Sequence, residues 1–180
     1  EYTTRHHIPD ARHIWQSRMP GRIFLPKLLE QVPPHKPGDL LPVIGLIDDP
    51  ARQVQRPLYL PLSTDGHVAV YGAPGTGKTV LLQTLATSLC MQYSPEEVNL
   101  YIMDFGGWSM GMFRGFPQVA GIANDNEEDK ITAIAQNLEI ALQKRKQLFA
   151  QAGVGNLRAY LQTTGEKLPY LVLLVDNFAP

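Results

Sequence analysis

The chain has 180 residues, of which 44% are hydrophobic and 18% charged, an ordinary composition for a soluble globular protein with room for one α/β domain. Its formal net charge of -1 gives no excess of positive charge with which the chain could bind DNA independently of DNA sequence. No apolar run approaches the roughly 18 residues of a membrane span, and no signal peptide opens the chain. The only cysteine, Cys90, excludes an internal disulfide, fits a reducing compartment and is interpreted as a small buried apolar residue.

The amino-terminal segment is rich in proline. Residues 1–61 contain ten of the 15 prolines, which favour extended chain and turns over long helices. Residues 1–40 are therefore predicted to be a linker, and residues 41–180 a domain. Three histidines of the linker lack cysteines or an acidic cluster at ligand spacing and are interpreted as solvated side chains rather than metal ligands: His6, His7 and His13.

Two short strands are predicted where the domain begins. Val43 to Asp48 and Pro57 to Pro61 are mostly apolar, and their prolines favour a position at a sheet edge. We expect them to form a small hairpin that lies against the core of the domain.

The stretch from Gly72 to Thr79 matches the phosphate-binding loop (P-loop), in which two glycines five residues apart are followed by Lys and Ser or Thr. His67 to Tyr71 is predicted to be a buried strand before the loop, and Thr79 to Met91 a helix after it. This is the context that the motif requires. Glycines permit a tight turn whose N–H groups point at phosphate oxygens, beside the positive end of a helix. The alternative is a Gly/Pro turn that matches by chance.

The motif also assigns roles to side chains. Lys78 would reach the β- and γ-phosphates, and the Thr79 hydroxyl would ligate Mg²⁺. The predicted nucleotide-binding residues are Gly72, Ala73, Pro74, Gly75, Thr76, Gly77, Lys78, Thr79 and Val80.

A second core strand, Val98 to Met103, follows a short turn with a helix-start signature at Ser94 to Glu97. The strand runs into Asp104-Phe105-Gly106-Gly107, at the edge of a parallel sheet where ligands bind. Asp104 would either contact the water ligands of the metal or cap the glycine turn, and both alternatives stay open. The Asp-Phe-Gly triplet does not indicate a protein kinase, because the His-Arg-Asp loop and the Val-Ala-Ile-Lys strand are absent from the sequence.

The stretch from Trp108 to Ala123 is rich in Gly, Met and Phe. We expect it to pack over the sheet, with a docking surface as the alternative. A long helix is predicted to begin near Asn126 and to end at Gly153, with Arg145 at its solvated basic end and a subunit contact as the weaker alternative. Its predicted buried stripe consists of Ile131, Ile134, Ala135, Leu138, Leu142 and Phe149.

The last predicted strand, Leu171 to Asp176, is typical of the second metal-side strand of a P-loop ATPase, which makes ATP and Mg²⁺ the predicted cofactors. Asp176 would hold Mg²⁺ through water. The next residue is normally a Glu that acts as general base, but here it is Asn177, whose amide cannot accept that proton. The sequence therefore predicts nucleotide binding with slow or absent hydrolysis, so ATPase activity is left open.

Several further motifs carry a family resemblance: Gly45 to Pro50 with Gln53, Gly66-His67, Leu81 to Ser88, Tyr93 to Val98, Asp104 to Gly107, and Arg145 to Gly153. With them, residues from about Leu41 to Phe178 resemble an ATPase domain of the FtsK/SpoIIIE family, and more closely a tandem domain of the EssC/EccC type of type VII secretion motor. The segment from His13 to Leu29 resembles the linker between two such domains, which favours a second or later domain.

The resemblance implies a RecA-like P-loop fold: a mainly parallel sheet flanked by helices, here preceded by the proline-rich linker and the small edge strands. Such a sheet has further strands after Asp176, so residues 41–180 are predicted to hold an incomplete domain. The resemblance also implies a place on the cytoplasmic side of the bacterial membrane, attached only through other parts of the full-length protein. The implied partners are other ATPase domains of the motor and secreted helical-hairpin proteins.

Three functions follow as alternatives. The first is a nucleotide-binding domain of a secretion ATPase with weak or no hydrolysis, which Asn177 and the near-neutral charge favour. The second is an active DNA-translocating ATPase, for which a catalytic Glu and basic loops would be expected, so DNA is a disfavoured partner. The third is a protein-binding scaffold with a blocked or empty site.

Overall fold

The computed structural model describes residues 18–178. The interpretation of His6, His7 and His13 lies outside these residues. The strands are β1 Val43–Asp49, β2 Val54–Tyr59, β3 Val98–Asp104, β4 Val119–Asn124 and β5 Tyr170–Asp176. The helices are α1 Leu25–Leu29, α2 Leu62–Asp65, α3 Lys78–Gln92, α4 Glu128–Ala152 and α5 Leu157–Thr164, with a 3₁₀ turn at Gly111–Phe113.

A parallel sheet with the strand order β4-β3-β5 forms the centre of the domain. Its strands are mostly apolar, as is usual for the strands of a parallel sheet. The register places Asp104 beside Asn124 on one neighbouring strand and beside Asp176 on the other. The polar residues that end the three strands therefore meet at one edge of the sheet.

One face of the sheet carries the larger core. Side chains from α3, β3 and β5 pack there with the buried Met110 and Phe113 of the segment after β3. This burial favours the packing alternative for part of the stretch from Trp108 to Ala123. Met112 and Phe116 from the same stretch remain exposed.

On the opposite face of the sheet, α4 packs against part of β3 and β4. Ile134 of this helix packs against Met103 and Ala123. Gly121 of β4 permits this approach, because a Cβ at this position would lie only 3.1 Å from Ile134 Cγ1. The predicted helix is confirmed, and it ends at Gly153 in the left-handed conformation with φ of 67°. The predicted stripe was too wide, since one helix covers only a narrow part of a three-stranded sheet and leaves Ala135 and Leu142 exposed.

The hairpin is confirmed, with β1 and β2 antiparallel in a separate two-stranded sheet. The predicted strand from His67 to Tyr71 is wrong. This segment has no strand conformation, and Tyr71 is 92% exposed. A strand is stabilised by the neighbours that it packs against, and within residues 18–178 no strand pairs with this segment.

The segment from residue 25 to residue 41, here called the strap, is attached to the domain at the amino ends of β3 and β5. Leu28 and Leu40 are buried, and Leu40 belongs to the larger core. The polar contacts of the strap are His35 with Glu97 (2.7 Å), the Gly38 carbonyl with the Tyr170 hydroxyl (2.7 Å), Asp39 with Arg158 (2.8 Å), and the Leu41 amide with the Tyr93 hydroxyl (2.8 Å). In the described part of the chain, no helix has the length and apolar character needed to cross a membrane.

Candidate functional site

The P-loop forms a tight turn that leads directly into α3. Gly75 and Gly77 have φ of +79° and +90°, a region that residues with a Cβ rarely adopt. The Thr76 hydroxyl donates to the Ala73 carbonyl over 2.8 Å and so closes the turn. Gly77 caps α3, a helix of 15 residues, whose first-turn N–H groups lack acceptors within the helix. The local geometry is therefore that of an anion-binding helix terminus.

Lys78 lies across this turn. Its Nζ donates to the Gly72 carbonyl over 2.8 Å and to the Ala73 carbonyl over 3.0 Å. Lys78 is half-buried beside the open cleft of the loop, where its ammonium group can exchange these carbonyl contacts for the stronger ones that phosphate oxygens offer.

The structure brings two of the sequence-predicted metal ligands together. The Thr79 hydroxyl donates to Asp176 Oδ2 over 2.8 Å. Thr79 is placed by the first turn of α3, and Asp176 by the last residue of β5. A hydroxyl and a carboxylate are the oxygen ligands that Mg²⁺ takes beside the phosphates of a nucleotide.

Asp104 does not lie free at the strand end. It is fully buried, and its two carboxylate oxygens accept the N–H groups of Gly106 (2.9 Å) and Met110 (2.7 Å). Of the two alternatives from the sequence, these contacts correspond to the cap of the glycine turn. The loop of residues 105–110, here called the glycine loop, is thereby closed on the end of β3.

The glycine loop also contacts the end of β5, which the sequence did not reveal. The Phe105 amide donates to the Asp176 carbonyl over 3.1 Å. A Cβ on Gly106 would lie 2.9 Å from Asp176 Oδ2. The Gly-Gly pair after the strand was the available signal, but the neighbour that it approaches comes from a distant part of the chain.

Asn177 adopts a left-handed backbone conformation with φ of 54°. Asn is one of the few residues with a side chain that tolerate this region. Its Nδ2 donates a long hydrogen bond of 3.3 Å to the Phe105 carbonyl. The amide side chain thus lies beside the candidate metal ligands without a group that can accept a proton from water.

One open cleft of about 410 Å³ is lined by Pro74, Gly75, Gly77, Lys78, Thr79, Val80, Gly106, Asp176 and Asn177. The cleft fits a nucleotide with Mg²⁺, since it combines the turn, the ammonium group and the two oxygen ligands at one edge of the sheet. Another cavity, of about 460 Å³, lies along α4, and the described residues that line it offer only one helix face. Among residues 18–178, no group of three His, Cys, Asp or Glu side chains has metal-binding geometry.

Arg145 is not part of this cleft. Its guanidinium donates to the Pro169 carbonyl, at the amino end of β5, whereas the cleft lies at the carboxyl end of that strand. Burial lowers the pKa of Arg145. The position favours a role in fixing α4 on the sheet.

Comparison with known proteins shows the family of the chain. The sequence profile of the FtsK/SpoIIIE family matches residues 41–179. The type VII secretion system protein EssC of Staphylococcus aureus (strain Mu50 / ATCC 700699) is 29% identical over an alignment 180 residues long, which covers 98% of this chain and 12% of that protein. The chain therefore spans about an eighth of the length of this curated relative.

Solved structures agree with this relationship. The cytoplasmic domain of the type VII secretion ATPase EccC of Thermomonospora curvata has a TM-score of 0.76 and 33% identity, over 94% of this chain and 22% of that one. ATPases 2 and 3 of the same EccC, in complex with a signal sequence peptide, have a TM-score of 0.69 and 36% identity, over 78% and 27% of the two chains. The α/β architecture is thus the RecA-like P-loop fold, as predicted, and the chain belongs to the FtsK/SpoIIIE family, with ATPase domains of type VII secretion proteins among its homologues.

Proposed function

We propose that residues 41–180 bind ATP and Mg²⁺ at the P-loop cleft, as one ATPase domain of a type VII secretion motor, and hydrolyse ATP weakly or not at all. The observation that carries the proposal is the 2.8 Å contact of Thr79 with Asp176 at the start of α3. A chance match to the P-loop motif is not expected to bring the carboxylate of a separate strand next to the threonine of the motif.

Each group of the cleft has a defined task in this proposal. The N–H groups of residues 75–80 and the Lys78 ammonium would hold the phosphates, while Thr79 and Asp176 would hold Mg²⁺ directly or through water. The metal, when bound, would supply positive charge at the β- and γ-phosphates.

Weak hydrolysis follows from the residue after Asp176. Asn177 occupies the place where a general base is expected, and its amide does not accept a proton from water at neutral pH. The loss of one positioned base typically slows a reaction by about 10²- to 10⁴-fold. ATP would then act chiefly as a ligand that stabilises and orders the domain.

The relatives support a wider setting for the domain. They are proteins of type VII secretion with several ATPase domains. ATPases 2 and 3 of one of these proteins were solved in complex with a signal sequence peptide. We infer that residues 1–40 link this domain to a preceding ATPase domain, that the motor lies on the cytoplasmic side of the membrane, and that secreted proteins are its cargo. The net charge of -1 does not favour binding to DNA.

The test is equilibrium binding of Mg-ATP by calorimetry, together with a turnover assay, on the native chain and on Lys78→Ala. Lys144→Ala, an exposed lysine on α4, is the matched control for loss of positive charge. We expect the native chain and the control to bind ATP, and Lys78→Ala to lose most of the affinity.

Hydrolysis is tested with Asn177→Glu and its isosteric control Asn177→Gln. We expect turnover to rise in the Glu variant only, because the two side chains share a shape and differ in the ability to accept a proton. Brisk hydrolysis by the native chain would refute the weakened-catalysis part of the proposal. Absence of ATP binding would refute the nucleotide-binding part and leave the scaffold function.

A further inference from the structure

We propose that Asp104 is a positioning residue of the candidate magnesium site: it holds the glycine loop against Asp176 and so sets how strongly Mg²⁺ increases the affinity for ATP. This inference rests on the proposed function. It assigns Asp104 a role without contact to the metal, and it adds Gly106 to the residues on which the metal site depends.

The first observation is the isolation of Asp104 from solvent. Its carboxylate is fully buried, and burial of a charge is costly unless hydrogen bonds compensate for it. The compensation comes from two backbone amides, those of Gly106 and Met110. One carboxylate therefore fixes both ends of the glycine loop.

The second observation is the contact between this loop and the metal ligand. Gly106 lies so close to Asp176 Oδ2 that a Cβ would come within 2.9 Å of it, and the same oxygen accepts the Thr79 hydroxyl. The Phe105 amide donates to the backbone carbonyl of Asp176. The loop and the Thr79 hydroxyl thus both restrict the position of the Asp176 carboxylate.

The third observation extends this arrangement to the P-loop helix. Gln83 of α3 donates its Nε2 hydrogen to the Ser109 carbonyl over 2.9 Å. Because Ser109 precedes Met110, whose amide is held by Asp104, the same loop is attached to the helix that carries Thr79. Through this loop, Asp104 sets the distance between the two candidate metal ligands, while its own carboxylate accepts the amides of Gly106 and Met110.

The consequence is specific to the metal. Phosphate groups would be held by the P-loop turn and Lys78, which the glycine loop does not form. A relaxed glycine loop would leave these contacts intact but would let the Asp176 carboxylate move away from Thr79. Residues that orient a metal ligand typically change metal affinity by about 10- to 100-fold when they are replaced.

The test compares ATP affinity in excess Mg²⁺ with ATP affinity in excess EDTA, for the native chain, Asp104→Asn and Gly106→Ala. The Asn side chain keeps one acceptor and presents an NH₂ group to the other amide, so it loosens the loop. The Ala side chain should keep the amide contacts of Asp104 and displace the Asp176 carboxylate, because its Cβ would lie 2.9 Å from Asp176 Oδ2 and 3.3 Å from Asn177 Cβ. Asp48→Asn on β1 and Gly155→Ala, where a Cβ meets no atom within 4 Å, are the matched controls.

We expect both variants to lose about 10-fold or more of the affinity gain that Mg²⁺ provides, with unchanged affinity in EDTA. Equal losses in Mg²⁺ and in EDTA would overturn the inference, because they would show a general structural defect. Unchanged affinity in both conditions would also overturn it.

Hydrogen exchange on the unliganded protein separates this inference from the proposed function. In Asp104→Asn, the amides of Gly106, Met110 and Phe105 should exchange faster, whereas in Gly106→Ala the Met110 amide should stay protected. If the native chain gains no ATP affinity from Mg²⁺, the proposed metal site is wrong. Unchanged protection of Phe105 in Asp104→Asn would overturn the positioning role whatever the native chain binds.

Discussion

The Thr79 hydroxyl donates a hydrogen bond to the Asp176 carboxylate, although 97 positions of the chain separate the two residues. The contact joins the start of α3 to the end of β5. Removal of the hydroxyl should therefore reduce the binding of Mg²⁺ more than the binding of the nucleotide itself. We expect Thr79→Val to reduce the affinity for ATP in Mg²⁺ by about 10-fold or more, and to leave the affinity in EDTA nearly unchanged.

Calorimetry in the two conditions checks this prediction. Thr84→Val is the matched control, since Thr84 lies on the same helix and donates its hydroxyl to the Val80 carbonyl. A similar loss of affinity in both conditions would contradict a role for Thr79 at the metal.

The backbone conformation at Asn177 should make substitution by residues with longer side chains destabilising. Because its φ is 54°, Asn177→Glu should lower the free energy of unfolding by about 1 kcal/mol, the usual cost of a left-handed conformation for a residue with a longer side chain. Asn177→Gly should cost nothing or stabilise the fold. Urea unfolding measures both values, and a Glu variant as stable as the native chain would argue against backbone strain at this position.

The strap should behave as part of the folded unit. Leu40 is 2% exposed within the larger core, so we expect Leu40→Ala to lower the free energy of unfolding by about 2 to 5 kcal/mol. Ile23→Ala, which removes an exposed side chain, should have little effect. If urea unfolding gives the same stability for both variants, the packing of the strap does not contribute to the domain.

The contact of His35 with Glu97 should make the strap sensitive to acid. Burial raises the pKa of Glu97, but hydrogen bonds from His35 and Ser94 outweigh it and hold the pKa below its ordinary value of 4.5. The folded state then binds fewer protons than the unfolded state, so this stabilisation is fully present above about pH 4.5 and is lost as the pH falls through the folded-state pKa.

Glu97→Gln should accordingly destabilise the protein at pH 7 and have progressively less effect as the pH falls below about 4.5. Urea unfolding at a series of pH values gives the difference directly. Glu139→Gln, an exposed residue of α4, serves for comparison. A pH-independent effect of Glu97→Gln would show that its hydrogen bonds do not depend on the charge.

Cys90 should be chemically inert in the folded protein. Burial raises the pKa of its thiol from 9.0 to about 11, which leaves roughly 100-fold less thiolate at neutral pH than an unperturbed cysteine has. We expect slow alkylation by iodoacetamide in buffer and rapid alkylation in urea. Rapid modification of the native chain would contradict the burial of this side chain.

The sequence allowed prediction of those features that depend on neighbouring residues. The P-loop turn and its helix depend on Gly75, Gly77 and the apolar run that follows, all within one stretch of chain. The end of α4 at Gly153 was predictable for the same reason, since a left-handed glycine is a local signal.

Features that depend on distant neighbours could not be predicted in this way. The run from His67 to Tyr71 has strand propensity, but pairing requires a partner that no local pattern specifies. Whether Asp104 contacts the water ligands of the metal or caps the glycine turn could be decided only from the two backbone amides that it accepts in the structure. Its position beside Asp176 follows from the strand order. The strand β4 was missed because Gly121 weakens its local signal while permitting the close approach of Ile134.

The attachment of the strap also has a mechanical consequence. A load applied from the amino-terminal side would reach the domain at α1, and several side-chain contacts across β3, β5 and α5 would share it. Because residues 25–40 are held on the domain, they add no reach to a connection made from this side; as an extended chain they would add about 50 Å at roughly 3.3 Å per residue. Anything joined through this side would therefore be held close to the edge of the sheet opposite the P-loop, and its motion would pull on the strands that carry Asp104 and Asp176.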